Sequence, residues 1–144
     1  MVFELGRYLV ADSGIYVARV ISSKVSRGKN FYMVDGGLHH HLAAAGTFGA
    51  AFRTNFLLRN LSRPDRELVE CTIAGPSCNP TDLLGIDMRL PCPEVDGLIG
   101  VLKSGSYGLT GQPLAVSWQA DAGRNHSTGR GVQTCPTAAT DDGF

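Results

Sequence analysis

Three short segments of this 144-residue sequence carry side chains that can do chemistry. In the first, the acid Glu4 and the cation Arg7 lie on either side of a glycine, Gly6. A helix that starts at such a glycine has free backbone N–H groups, and the guanidinium adds a charged fork, so this segment can bind a phosphate group. The local pattern by itself favours a capped turn with a solvated arginine.

The second segment, residues 75–82, is a loop that two prolines restrain, and we call it the cysteine loop. It displays Cys78 and Asn79 among other polar residues. A thiol holds its proton at neutral pH and can deliver it to a carbanion, so Cys78 is a candidate proton donor. A small, half-buried cysteine with a structural role is the commoner case, and the local pattern alone favours it.

The third segment, residues 104–108, has the sequence SGSYG and is called the tyrosine loop. Its glycines allow a ligand to approach the backbone closely, and Tyr107 can donate a hydrogen bond to a phosphate oxygen. The segment lacks the Gly-Lys-Ser/Thr ending of a P-loop, so nucleotide binding is not implied. Considered alone, it is typical of a hairpin turn with a packed tyrosine.

Residues 39–41 are three histidines, and His39 and His41 would share one face of a strand. Imidazole is a common zinc ligand, but no Asp, Glu or Cys at ligand spacing completes a set, so we predict histidines at a strand edge or helix start and no metal. The cysteines form no CxxC pair (Cys71, Cys78, Cys92 and Cys135). Residues 1–10 lack the character of a signal peptide, which predicts reduced thiols and a cytoplasmic location.

The elements that must position these segments belong to one small, turn-rich globular domain, according to the composition. Hydrophobic residues make up 43% of the chain, and 18 residues are glycine, which favours many tight turns. The 13 basic and 13 acidic residues cancel, which argues against a protein that binds nucleic acid or an anionic membrane through bulk charge. No apolar stretch approaches the ~18 residues that a membrane helix needs.

Short runs rich in β-branched and aromatic residues, separated by Gly and Pro, predict an antiparallel β-barrel or sandwich. A short helical turn is predicted for residues 7–13, and residues 39–51 have a helical composition that two glycines interrupt. Large apolar residues are scarce in residues 119–144, so we expect a disordered tail there. The predicted strands are residues 2–4, 15–25, 31–34, 55–61, 68–74, 98–103 and 112–118.

Together and in this order, four segments resemble the C-terminal part of the pyridoxal-phosphate-dependent decarboxylases of the ornithine, diaminopimelate and arginine group, in particular the subgroup associated with exosortase systems. The resemblance implies a mainly β fold, with the Greek-key β-barrel C-terminal domain of these alanine-racemase-like enzymes at residues 15–118. A remnant of a TIM-type barrel, its last strand and helix, would precede it at residues 1–14. The segments are ELGRYLVADSG at 4–14, VDGGLHHHLAA at 34–44, GPSCNPTDLL at 75–84 and SGSYGLTGQPLA at 104–115.

The resemblance also implies roles for individual residues. Glu4 matches the acid that the family places against the pyridine nitrogen of the cofactor, where a carboxylate keeps that nitrogen protonated. Gly6 and Arg7 match the phosphate-binding pair, and Tyr107 matches a tyrosine at the cofactor phosphate. Cys78 matches the proton donor to the decarboxylated carbanion, on a loop that reaches into the neighbouring subunit, so the resemblance implies a homodimer.

Two residues depart from the family's pattern. Leu5 stands where the family usually has a proline, so the phosphate-binding segment around Gly6 and Arg7 lacks a residue that would make it rigid. Asn79 stands where diamine-producing members carry an acid that pairs with the distal ammonium of the substrate. A neutral amide loses that charge-assisted bond, so we expect ornithine and lysine analogues to be poor substrates.

The family's catalytic lysine lies on an N-terminal barrel of roughly 250 residues, which this sequence does not contain. None of Lys24, Lys29 and Lys103 lies in a segment that matches the lysine motif. We therefore expect part of an amino-acid decarboxylase that is inactive alone and forms a homodimer or pairs with a barrel-bearing partner, with no nucleic acid or membrane. The alternatives are a non-catalytic binding or assembly module of a split enzyme and a non-functional truncation product.

Overall fold

The computed structural model describes residue 3 and residues 5–46 and 54–108 of the chain. A short helix, α1 (Gly6–Val10), continues into a 3-10 turn (Ala11–Ser13). The strands that follow in the described residues are β1 (Tyr16–Ser26), β2 (Lys29–Val34), β3 (Leu58–Asn60), β4 (Leu68–Ala74), β5 (Leu83–Pro91) and β6 (Leu98–Val101). The predicted mainly β fold is confirmed.

The strands form one sheet in the order β3-β6-β1-β2-β4-β5, in which the β2–β4 pair is parallel and the other pairs are antiparallel. The two edge strands approach each other, so the sheet curls into a nearly closed barrel. Just before β3, the Asn55 amide donates to the carbonyl of Ile86 in β5 (2.8 Å) and accepts from its N–H (3.1 Å). In β3, Asn60 donates to the carbonyl of Pro91 at the end of β5 (3.1 Å).

Aliphatic side chains fill the inside of this barrel. Along the start of β1, the exposed residues Val17 and Arg19 alternate with the buried residues Ala18 and Val20, which is the two-residue alternation of a strand. Each large aliphatic side chain that is fully buried contributes about 1.5–3 kcal/mol. The inward-facing set therefore fixes the barrel that carries the loops, and its fully buried members include Val20, Val34, Ile73, Leu84, Ile99 and Val101.

The sequence pattern does not predict β5, and the structure shows the physical reason. The register of β5 against β4 shifts between Cys71 and Ile73 and again between Ile73 and Ala74. Within β5, Asp87 has a φ of 48°, in the left-handed region that few residues other than glycine adopt. These irregularities break the alternation of buried and exposed residues from which a strand is predicted.

Most other elements agree with the prediction. The bounds of β4 are those predicted, and the helical turn starts one residue before the predicted 7–13. Residues 39–46, predicted as part of an interrupted helix, form turns instead, because each hydrogen-bonded stretch is too short to continue as a helix. The predicted strand 112–118 and tail 119–144 lie outside the described residues, and the division at residues 14 and 118 and the barrel remnant stay predictions.

Cys71 and Cys78 are free thiols, whereas Cys92 is disulfide-bonded. The expectation of reduced thiols is confirmed for the first two and wrong for Cys92, because spacing along the chain does not show which cysteines the fold brings together. The cytoplasmic location therefore stays a prediction. Among the described residues, no helix has both the length and the apolar character to cross a membrane.

Candidate active site

The tyrosine loop is fastened to the turn that follows α1. The N–H of Ser104 donates to the carbonyl of Gly14 (2.9 Å), and the N–H of Gly105 donates to the carbonyl of Ala11 (3.0 Å). A Cβ on Gly105 would collide with a backbone carbonyl oxygen at the end of α1, so glycine permits this close approach. The tyrosine loop and α1 therefore meet at the same end of the barrel.

The Arg7 guanidinium on α1 lies over an aromatic ring. Its Cζ is 4.9 Å from the centroid of Phe56, within the range of a cation–π interaction. Arg7 is exposed and forms no ion pair with an acidic side chain of the described residues. The ring thus holds in place a positive charge that can bind an anion.

The same ring packs edge-on against His41, with the centroids 5.2 Å apart. His41 is fully buried, and its Nδ1 accepts a hydrogen bond from the N–H of Ala44 (3.1 Å), which leaves the proton on Nε2. Nε2 lies 3.0 Å from Oγ of Ser104, whose hydroxyl donates to the carbonyl of Val101 (2.7 Å). His41 therefore donates to Ser104 and anchors the tyrosine loop as a neutral imidazole.

The buried imidazole makes stability depend on pH. Burial lowers the pKa of His41 from its ordinary value of 6.5, a hydrogen bond with the backbone opposes this shift, and the charge of Arg7 adds to it. As the pH falls below about 6.5, the unfolded state takes up the proton first, so protonation favours unfolding. We expect the free energy of unfolding, measured in urea, to decrease from about pH 7 to about pH 5.5, and the variant His41→Gln to show a smaller decrease.

The matched control is the neighbouring His40, whose pKa is also lowered by burial and then by His39, while Asp35 and Asp82 oppose the shift. His40→Gln removes its own part of the pH dependence and leaves the part that His41 contributes. A pH dependence in His41→Gln equal to that of the wild type would contradict the role assigned to His41.

Asp82 is a buried carboxylate at the base of the cysteine loop. Its Oδ1 accepts a hydrogen bond from the N–H of Leu38 (2.6 Å), and its Oδ2 accepts one from the N–H of Ser77 (3.0 Å). A Cβ on Gly37 or on Gly75 would collide with this carboxylate, so the two glycines make room for it. Asp82 thus ties the cysteine loop to the chain at residues 37–38.

The tip of the cysteine loop presents Cys78 and Asn79 to solvent. Of the two free thiols in the described residues, Cys78 is the accessible one, because Cys71 lies in the core. Burial, together with the charge of Glu70, raises the pKa of Cys71 to about 12. Only the exposed thiol can reach a substrate.

Residues 37–41, which we call the histidine segment, connect the two loops. Leu38 is bound to Asp82 below the cysteine loop, and His41, three residues later, is bound to Ser104 in the tyrosine loop. The ring of Tyr16 in β1 packs against the segment, and its centroid lies 5.5 Å from the centroid of the His41 ring. His41 and Asp82 are positioning residues that the sequence pattern did not single out, and Gly37 and Gly75, which lie against Asp82, are the signals of close packing that could have indicated the second of them.

The structure places the described members of the predicted site on three elements: α1, the tyrosine loop and the cysteine loop. Of those predicted to bind the cofactor phosphate, Gly6 and Arg7 lie at the start of α1, and the half-exposed Tyr107 lies in the tyrosine loop, which contacts the end of α1 and the turn after it. Those predicted to act on the substrate lie on the cysteine loop: Cys78 and Asn79. Glu4 lies outside the described residues, and the described residues contain no group of three or more His, Cys, Asp or Glu side chains that could hold a metal ion.

The fold is that of a known class of protein. Residues 7–105 match the family described as "Pyridoxal-dependent decarboxylase, C-terminal sheet domain". This chain belongs to that family, which confirms the resemblance found in the sequence.

Two curated relatives and one solved structure illustrate the similarity. The chain is 45% identical over 118 residues to the L-glutamyl-(BtrI acyl-carrier protein) decarboxylase of Niallia circulans, covering 78% of this chain and 27% of that protein. It is 33% identical over 107 residues to the probable chloroplastic diaminopimelate decarboxylase of Oryza sativa subsp. japonica, covering 74% and 21%. The crystal structure of Helicobacter pylori diaminopimelate decarboxylase complexed with L-lysine matches with a TM-score of 0.62 and 27% identity, covering 74% and 25%. This chain spans about a quarter of the length of these relatives.

Proposed function

We propose that this chain supplies the phosphate-binding loop and the proton-donor loop of a dimeric, pyridoxal-phosphate-dependent amino-acid decarboxylase in the cytoplasm. The hydrogen-bonded contact between the tyrosine loop and the turn after α1 carries the proposal. It puts the two candidate phosphate-binding elements side by side, in a chain whose family is pyridoxal-dependent.

The residues at this end of the barrel fit a phosphate group. Arg7 offers a positive charge that no described carboxylate pairs with. A Cβ on Gly6 would have no atom of the described residues within 4 Å, so these residues leave the space beside the start of α1 open. The Ser106 hydroxyl in the tyrosine loop is buried and has no hydrogen-bond partner among the described residues, so it is a donor that a phosphate oxygen would satisfy.

When bound, pyridoxal phosphate would accept the electrons that remain when CO2 leaves the substrate. The residues of this chain would hold the cofactor and move one proton. Arg7 and Tyr107 would bind the phosphate, and Glu4 would keep the pyridine nitrogen protonated. Cys78 would give the proton on its Sγ to the carbanion carbon of a substrate bound by the neighbouring subunit.

The chain needs a second polypeptide segment, because none of its three lysines is placed to hold the cofactor covalently. All three are exposed: Lys29 pairs with Asp87, Lys103 pairs with Asp12, and Lys24 lies 5.8 Å from the ring centroid of Phe31. The side chains of α1 are exposed along its whole length, including the three large hydrophobic ones of Tyr8, Leu9 and Val10, and we infer that a barrel-bearing partner covers them.

We expect the purified chain mixed with pyridoxal phosphate to show no absorbance band of a lysine-bound cofactor and to release no CO2 from amino acids. Addition of the barrel-bearing part of the Niallia circulans relative, the part that precedes its match to this chain, is expected to produce both. Absorbance spectroscopy and CO2 release measure these two results.

The control for this experiment is Arg7→Ala, which removes the positive charge proposed to bind the cofactor phosphate. We expect this variant to weaken the binding of the cofactor to the mixture about 10-fold. A specific absorbance band on the chain alone that disappears when one lysine is replaced would overturn the claim that the chain is inactive alone. A mixture that binds no cofactor would overturn the proposed function.

The exposed apolar side chains of α1 also favour a second candidate, a non-catalytic assembly module that only completes the fold of a partner. The same mixture distinguishes the two functions. A module that contributes no catalytic group would give equal turnover with the wild-type chain and with Cys78→Ala, whereas a proton-donor loop would not.

A further inference from the structure

An uncharged surface holds the guanidinium of Arg7 in position. The helix that carries it, α1, has five residues, none of them buried, and its N-cap residue Leu5 makes no side-chain capping hydrogen bond. Among the described residues, the guanidinium forms no ion pair, and its Cζ lies 4.9 Å from the ring centroid of Phe56. The position of this cation therefore depends on the ring and not on a carboxylate.

The backbone around Phe56 is fixed on both sides. Phe56 is half-buried and packs against the core of the barrel. The residue before it, Asn55, exchanges two hydrogen bonds with the backbone of Ile86 in β5 (2.8 and 3.1 Å). The carbonyl of the residue after it, Leu57, accepts a hydrogen bond from the N–H of Leu102 (2.8 Å), just beyond β6. The ring thus projects from a segment that two parts of the barrel hold in place.

His41 links the same ring to the tyrosine loop. The rings of His41 and Phe56 meet edge to face, with their centroids 5.2 Å apart and their planes inclined by 72°. Both nitrogens of His41 are hydrogen-bonded, and one of these bonds, of 3.0 Å, is to Ser104 in the tyrosine loop. Phe56 therefore joins the cation on α1 to the support of the loop that carries Tyr107.

An aromatic support leaves the cation available to a ligand. A carboxylate would neutralise the guanidinium and accept hydrogen bonds from it, so a phosphate would have to displace that carboxylate. The face of an aromatic ring attracts the cation without taking up those N–H donors. The ring also restricts the rotamers of the long arginine side chain in advance, which lowers the entropy that is lost when the side chain binds an anion.

We propose that Phe56 is a positioning residue for the cofactor phosphate: backed by His41, its ring fixes the guanidinium of Arg7 beside the tyrosine loop before the phosphate binds. This inference rests on the proposed function, because it takes Arg7 to bind the phosphate group of pyridoxal phosphate. Phe56 acts through Arg7 and does not touch the ligand itself. Replacing Phe56 should therefore affect only ligands that carry a phosphate group.

The test uses the mixture of the full chain with the barrel-bearing part of the Niallia circulans relative. Absorbance titrations measure the dissociation constants of pyridoxal phosphate and of pyridoxal, which lacks the phosphate group. Phe56→Leu keeps an apolar side chain and removes the aromatic face. We expect it to weaken the binding of pyridoxal phosphate about 5-fold and to leave the binding of pyridoxal unchanged. In the Arg7→Ala background, Phe56→Leu should have no further effect, because the cation that it positions is gone.

Phe31→Leu is the matched control, because Phe31 is another half-buried phenylalanine near a cation, with Nζ of Lys24 lying 5.8 Å from its ring centroid. It should change neither dissociation constant. Three results for Phe56→Leu would overturn the positioning role and leave the proposed function standing: an unchanged affinity for pyridoxal phosphate, equal losses for both ligands, or a loss that adds in full to that of Arg7→Ala. A wild-type mixture that binds no pyridoxal phosphate would overturn the proposed function, and this inference with it.

Discussion

Replacing Cys78 by alanine is expected to lower kcat of the assembled enzyme by a factor of about 10² to 10⁴, which is the usual contribution of a positioned general acid. Cys78 is an exposed thiol at the tip of the cysteine loop, and no hydrogen-bonded contact of the described barrel depends on its side chain. Cofactor binding, followed by absorbance, should therefore stay as in the wild type while CO2 release or product formation falls.

The other free thiol provides the matched control. Cys71 is buried in the barrel, so Cys71→Ala should lower the free energy of unfolding by about 1 kcal/mol and leave kcat unchanged. If Cys78→Ala retained the turnover of the wild type, the proton would have to come from another group, and the role of the cysteine loop would be wrong.

Replacing Asp82 by asparagine is expected to destabilise the chain by about 3 kcal/mol, because one of two buried backbone N–H groups loses its acceptor and meets an N–H donor instead. The donors are those of Leu38 and Ser77, at 2.6 and 3.0 Å from the carboxylate. Urea unfolding of the full chain measures the change, and Asp82→Asn should also raise proteolytic cleavage in the cysteine loop.

Asp87→Asn is the comparison for this variant, because it removes an exposed, ion-paired carboxylate instead of a buried one. Asp87 pairs with Lys29 at 2.9 Å, but the two side chains are 41% and 56% exposed, so solvent screens the pair. Its loss should cost less than about 1 kcal/mol. A similar, small cost for Asp82→Asn would show that the buried carboxylate does not hold the cysteine loop.

The loops of the candidate site could be located from the sequence, but the contacts that hold these loops in position could not. Each loop combines its glycines or prolines with a reactive side chain inside a short window, so local pattern and family resemblance could find it. The contacts that position the loops join distant residues: Leu38 and Asp82 are 44 positions apart, and His41 and Ser104 are 63 apart. Such pairings depend on the three-dimensional fold, which a local pattern does not contain.

The three histidines show the same limit. The pattern at residues 39–41 predicted the same environment for all three histidines, at a strand edge or at the start of a helix. In the structure, His41 is fully buried with both ring nitrogens hydrogen-bonded, while Nδ1 of His39 is buried without a partner among the described residues. Neighbouring positions in a turn point in different directions, so identical residues acquire different chemistry.

The place of β6 in the sheet has a consequence for biosynthesis. Although β6 comes late in the sequence, it lies between β3 and β1, with Val101 paired to Leu58 on one side and to Tyr16 on the other. The ribosome adds about 5–20 residues per second. The β1–β2 and β4–β5 hairpins can therefore form while one edge of β1 is still unpaired, because β6 has not yet been synthesised. The tyrosine loop leaves the exit tunnel only after β6, so a nascent chain can form the contact between this loop and the turn after α1 only once β6 has emerged.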